Sequence, residues 1–136
     1  MRLKRLLSTV LASAALATVG VLSTASTAGA DNGDGLSACN SGEICFYRYS
    51  GAVLWQKHFW YTGDHGSYNW WAGQATNVRM QDDAVEVNNR DTQCQVRVGN
   101  LSPSTGLWTW RYFPNDHVRR DLGAIRNAND RHERCA

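Results

Sequence analysis

One phrase occurs twice in this chain. VRMQDDAVE at 78–86 and IRNANDRHE at 125–133 both read (V/I)-R-x-x-(D/N)-D-x-x-E, 47 positions apart. Self-similarity at a fixed separation is the mark of a supersecondary unit copied and packed against its copy. The echo goes further. ICFYRY at 44–49 answers to QCQVRV at 93–98, Leu54-Trp55 to Leu107-Trp108, and Asp64-His65 to Asp116-His117. The matches keep one order in both halves, and extra residues at 66–73 and 99–106 absorb the drift. Two repeats are expected, about 39–88 and 89–136, inside a single domain spanning 31–136.

The period inside each repeat is that of a strand. Cys94, Val96 and Val98 alternate with Gln95 and Arg97, and Val85 and Val87 flank Glu86, so one face is apolar and the other wet. Asn88-Asn89-Arg90-Asp91 joins these two runs and predicts a hairpin. The stretches 54–61 and 107–113 carry the Trp, Tyr and Phe of half-buried strands, and no helical period is sustained after residue 31. Two halves of about four short strands each must cover their apolar faces, which predicts an all-β, two-sheet sandwich.

Residues 1–30 have the three zones of a secretory signal peptide. Arg2, Lys4 and Arg5 lead, a largely apolar stretch follows, and Ala28-Gly29-Ala30 is an A-x-A exit. Ser8, Thr9, Ser13 and Thr18 interrupt the apolar stretch, which weighs against a membrane anchor. The expected product is secreted and extracellular, with no membrane attachment after cleavage. The net charge of +2 comes from 14 basic and 12 acidic side chains, and three of the basic ones lie in the signal. The remainder is nearly neutral, so bulk charge predicts no nucleic-acid partner.

Cys39, Cys45, Cys94 and Cys135 all follow the cleavage site, and an even count in a small exported domain predicts two disulfides. Three pairings are open; the pairing Cys39–Cys45 with Cys94–Cys135 is favoured. A cysteine metal site would need close pairs such as C-x-x-C, and the chain has none.

SGEICFYRY at 41–49, DDAVEVNNR at 82–90 and CQVRV at 94–98 resemble the secreted bacterial proteins of peptidase inhibitor family I36. The resemblance covers nearly all of 31–136. It implies a βγ-crystallin-like sandwich of two Greek-key motifs, proteinase inhibition as the activity, and an extracellular protease, such as a metalloprotease, as the partner.

In βγ-crystallins the place of the repeated acids carries a calcium motif, (N/D)-(N/D)-x-x-(S/T)-S. Asp82, Asp83 and Glu86, and Asn129, Asp130 and Glu133, match its two leading positions and put Glu at the fifth. Calcium takes several hard oxygens, so these six residues are the candidate metal ligands. No cofactor is required by this reading, and calcium is the one it admits. The competing reading is that these acids and amides hold turns, with Arg79 and Arg126 pairing Glu86 and Glu133.

Two loops are candidates for a protease-binding segment. One is Thr62, Gly63, Asp64, His65, Gly66 and Ser67; the other, within 99–106, is Leu101, Ser102, Pro103 and Ser104, stiffened by the proline. The aromatic run around the first loop, His58-Phe59-Trp60-Tyr61 and Tyr68-Asn69-Trp70-Trp71, is too dense for one strand face to bury. Part of it is expected at the surface, where flat rings also suit a cell-wall polysaccharide. An enzyme is not expected: neighbouring Asp64-His65 side chains on a strand point to opposite faces, and neither G-x-S-x-G nor H-E-x-x-H occurs.

Overall fold

The structure is a computed structural model, and it describes residues 38–136; the expected signal peptide and its cleavage site lie outside the described residues. The first half runs β1 (Ile44–Ser50), β2 (Val53–Phe59), β3 (Gly63–Asp64), a 3-10 turn at His65–Ser67, β4 (Asn69–Trp71), β5 (Ala75–Arg79) and β6 (Glu86–Asn89). The second half runs β7 (Val96–Leu101), β8 (Trp108–Phe113), β9 (Arg119–Asp121), a 3-10 turn at Gly123–Ile125 and β10 (Arg131–Arg134). Two antiparallel sheets result, a six-stranded one in the order β5-β4-β2-β1-β6-β9 and a four-stranded one in the order β3-β10-β7-β8. The all-β, two-sheet expectation stands.

The halves correspond strand for strand, and each sends its third strand to the other half's sheet. β3 pairs with β10, and β9 pairs with β6. Single hydrogen bonds repeat with it. Asp82 N donates to Asn129 O, and Asn127 N to Ala84 O; Val85 N donates to Tyr47 O, and Asp130 N to Gly99 O. Asp64 Oδ1 caps Gly66 N as Asp121 Oδ1 caps Gly123 N. The β4–β5 hairpin belongs to the first half alone.

These bonds correct the register read from the sequence. Asp82 matches Asn127, not Asn129, and the two share a left-handed backbone at φ 56° and 54°. The doubled phrase is therefore two residues out of step, which keeps each side chain on its proper face and so escapes a pattern test. Phe46 matches Val98, since each lies across from a buried residue, Val87 or His132. Cys45 and Cys94 are consequently not equivalent. Asp64-His65 matches Asp121-Leu122; Asp116-His117 lies in the β8–β9 connection, with His117 at φ 63°.

The expected hairpin across 88–91 does not form, because β6 and β7 belong to different sheets. Side chains steer the chain across the gap. Asn89 Nδ2 donates to Cys94 O at 3.2 Å and Phe113 O at 3.0 Å, while Asn89 Oδ1 and Asp91 Oδ1 accept from Asp91 N and Gln93 N. Asn and Asp bond their own turns readily, and here those turns replace a ladder.

Between the sheets lies one apolar cluster built on Phe46, Phe59, Trp70, Met80, Val87, Val98, Leu122 and Ile125. Burying each such side chain contributes about 1.5–3 kcal/mol. The cysteines pair as Cys39–Cys45 and Cys94–Cys135, the favoured pairing. The second bridge closes a separation of 41 residues, and such a bridge contributes about 2–4 kcal/mol.

Candidate functional site

The segments bearing the repeated acids meet at one end of the sandwich, where two corresponding cavities share Asp82. One, about 470 Å³, is lined by Gln81, Asp82 and Asp130 together with Leu101 at the end of β7 and Pro103 of the β7–β8 connection. The other, about 410 Å³, has Asp82, Asp83, Arg126 and Asn127 beside Arg48 and Tyr49 of the β1–β2 hairpin.

The six candidate ligands do not converge on one point. Asn129 is fully buried and joins the two segments. Its Oδ1 accepts from Asp83 N at 3.0 Å and Ala84 N at 2.7 Å, and its Nδ2 donates to Met80 O at 3.0 Å. The carboxylate of Asp83 is taken by Arg48 and by Trp70 Nε1 at 2.8 Å. Glu86 accepts from Arg119, and Glu133 is gripped by Arg97 through Nε at 2.9 Å and Nη2 at 2.5 Å. Arg79 and Arg126, expected to pair those glutamates, are replaced in that role by Arg119 and Arg97, with Arg131 also beside Glu133. Asp82 and Asp130 remain around the larger cavity. Burial first, and the charge of Asp130 second, raise the Asp82 carboxyl above its ordinary value. Asp130 accepts from Gln81 Nε2 at 2.6 Å and from Leu101 N at 2.6 Å, so it also fastens the base of the loop above.

The two candidate loops differ in kind. In 62–67, Gly63 and His65 are buried, and the segment is drawn into the sheet as β3 and the turn that follows. A Cβ on Gly63 would stand 2.7 Å from His132 Cε1, so the packing there is closed. The 101–107 loop stands clear and braces itself. Ser102 N donates to Leu107 O at 2.9 Å, Gly106 N to Ser102 O at 2.9 Å, and Leu107 N to Thr105 Oγ1 at 3.4 Å. Leu107 is 69% exposed, the most open of the large apolar side chains described.

The aromatic run at 58–71 is mostly interior. Phe59 and Trp70 are buried, and Tyr68 packs against the core. Tyr61 of that run does reach the surface, and further exposed rings lie on β8, where exposed Trp108 stacks on half-buried Trp110 at 4.8 Å and Tyr112 follows on the same strand face. Their i, i+2, i+4 spacing in WTWRYF was legible as one strand face; what could not be read was that the face is the outer one.

His65 and His132 are both buried and join at 2.9 Å, Nε2 to Nδ1, among Phe46 and Phe59. His65 therefore faces the core while Asp64 caps a turn, so the two share no chemistry. Two groupings of metal-ligand type, Cys39-Glu43-Cys45 and Asp91-Cys94-Cys135, are built on disulfide sulfurs, which offer no thiolate. Among known proteins, no family model, curated protein or solved structure matches this chain.

Proposed function

We propose that this is a secreted inhibitor of an extracellular protease, built as a βγ-crystallin-like pair of Greek keys, with the 101–107 loop as the segment offered to the protease. The single observation carrying the choice of loop is its combination of exposure and bracing. The loop holds its shape through internal hydrogen bonds and an anchor from Asp130 to Leu101 N, while Leu107 projects. A segment already ordered before binding gives up little entropy in a protease cleft. The exchange of third strands between sheets supports the Greek-key description, and the two disulfides are in keeping with export. The reading needs no catalytic group and no cofactor.

The test is an inhibition assay of the purified protein against metallo- and serine proteases, beside Leu107→Ala. We expect inhibition of at least one protease, weakened about tenfold or more by the substitution, as for an exposed anchor side chain. No inhibition at about micromolar protein would remove the reading.

A second reading is favoured by one feature, the repulsion between Asp82 and Asp130. Asp82, Asp130, Gln81 and Asn100 line the larger cavity, and their side chains carry the hard oxygens that calcium takes. The smaller cavity does not fit, because Arg48 and Arg126 line it. Glu86 and Glu133, already paired with arginines, drop out of the ligand set. If calcium binds, millimolar calcium raises the melting temperature of the wild type and not of Asp82→Asn; an unchanged melting point removes the metal.

A further inference from the structure

We propose that the outer face of the four-stranded sheet is a binding site for a neutral polysaccharide, with the rings of β8 as its stacking surface. The inference is independent of the protease loop and begins from the alternation of β8. Phe113 turns inward to the core, and Arg111 reaches Leu122 O at 3.0 Å. Trp108, Trp110 and Tyr112 turn outward on the sheet's edge strand from backbone positions about 7 Å apart.

The row is built rather than merely left exposed. Gly99 stands opposite Trp110, and a Cβ there would lie 2.5 Å from the Trp110 ring and 2.8 Å from that of Trp108. The glycine leaves the floor on which both indoles stand, stacked 17° from parallel. The Arg97 guanidinium lies 4.3 Å from the Trp110 ring centroid and is itself held by Glu133 and by Tyr112 Oη at 3.4 Å. Trp108 ends the stack. Its other face meets no ring or guanidinium among the described residues, and the residue remains 38% exposed. An ordered row of rings with no part in the core is the kind of exposed apolar surface that marks a binding site.

The neighbouring groups choose the occupant. Beside the rings run Arg97 and Arg131, matched by Glu133 across the strand pair and by Asp64 opposite Arg131. Two cations and two carboxylates cancel, so the face gives neither an anionic polymer nor a cationic peptide a net field. What remains is the free face of Trp108 and the exposed ring of Tyr112, next to fixed, planar hydrogen-bonding groups. That suits a ligand whose rings have an apolar C–H face and a hydroxyl-bearing edge, as pyranose chains do.

The test measures depletion of the full secreted protein by insoluble cellulose and by chitin, with an anionic polysaccharide, alginate gel, as comparison, all in high salt. We expect retention on cellulose or chitin that Trp108→Ala and Tyr112→Ala each weaken about tenfold or more. Trp55→Ala, on the other sheet, should bind as the wild type does, and circular dichroism confirms that each variant is folded. Retention by neither neutral polymer, retention by alginate alone, or equal binding by wild type, Trp108→Ala and Tyr112→Ala would each overturn the proposal.

Discussion

Lowering the pH should destabilise this protein through two histidines whose surroundings resist a second ring proton. The amide of Asn129 sets the order of the network. Its Oδ1 accepts from two backbone N–H groups, so its Nδ2 must face His65 Nδ1 at 2.7 Å and donate to it. His65 then carries its proton on Nε2 and donates to His132 Nδ1 at 2.9 Å, and His132 Nε2 donates to Tyr61 O at 2.7 Å. Every ring nitrogen already has a partner of the right kind. A further proton sets donor against donor; the one other acceptor, Asn129 O at 3.3 Å from His65 Nδ1, already takes the N–H of Asp82.

Burial pushes His132 down to about 4, and burial together with the charge of His132 pushes His65 well below its ordinary value. The unfolded chain binds protons at these sites from about pH 6.5 downward while the native state does not. The stabilisation is therefore complete above about pH 6.5 and declines as pH falls toward 4. For His132 the loss approaches about 3 kcal/mol, with a slope nearing 1.4 kcal/mol per pH unit, and His65 adds to it in the same direction. The raised carboxyl of Asp82 acts oppositely, but only in the carboxylate range, below most of this window.

Urea unfolding at steps from about pH 7.5 to 4.5 measures the slope. The duplication supplies the control, because Leu122 and Val87 stand where His65 and His132 do. The double variant His65→Leu, His132→Val should lose stability at neutral pH, since Tyr61 O loses its donor, but should be nearly flat between about pH 6.5 and 4.5. A flat wild-type curve, or a slope that survives in the double variant, would refute the argument.

Three further outcomes are expected. Asn129→Ala removes four side-chain hydrogen bonds from a buried junction and should cost about 2–4 kcal/mol in urea unfolding. Gly63→Ala puts a Cβ 2.7 Å from a histidine locked in the core, so a loss of about 1–3 kcal/mol is expected, whereas at Gly73, where a Cβ has open space, only the cost of φ 75° remains. Replacing Cys94 and Cys135 together by alanine should lower stability by about 2–4 kcal/mol; a melting point equal to the wild type would show that the bridge constrains little.

The all-β architecture and the doubling were legible because a strand's period of two and its turn residues are local properties. Their pairing was not. The phrase that announced the duplication aligns Asp82 with Asn129, while the backbone aligns Asp82 with Asn127. A slip of two leaves every face correct, so only hydrogen bonds between distant segments could reveal it. The hairpin expected across 88–91 failed for a related reason: Asn89 and Asp91 spend their side chains on turns that carry the chain to the other sheet.

A duplicated scaffold also indicates where to look for function. Positions that match between the halves have a shared structural duty, as the Asp64 and Asp121 caps do. Function is better sought where the halves depart from each other. The first half closes β1–β2 with Gly51 and Ala52, while the second opens the same connection into the braced 102–107 loop and follows it with Trp108 and Trp110. Where the first half has Tyr47 opposite Gln56, the second has Gly99 opposite Trp110, which makes room for the stacked indoles. The loop and the ring row thus lie on one hairpin, which departs from its copy in both turn and rings, and both binding proposals depend on that asymmetry rather than on the repeat.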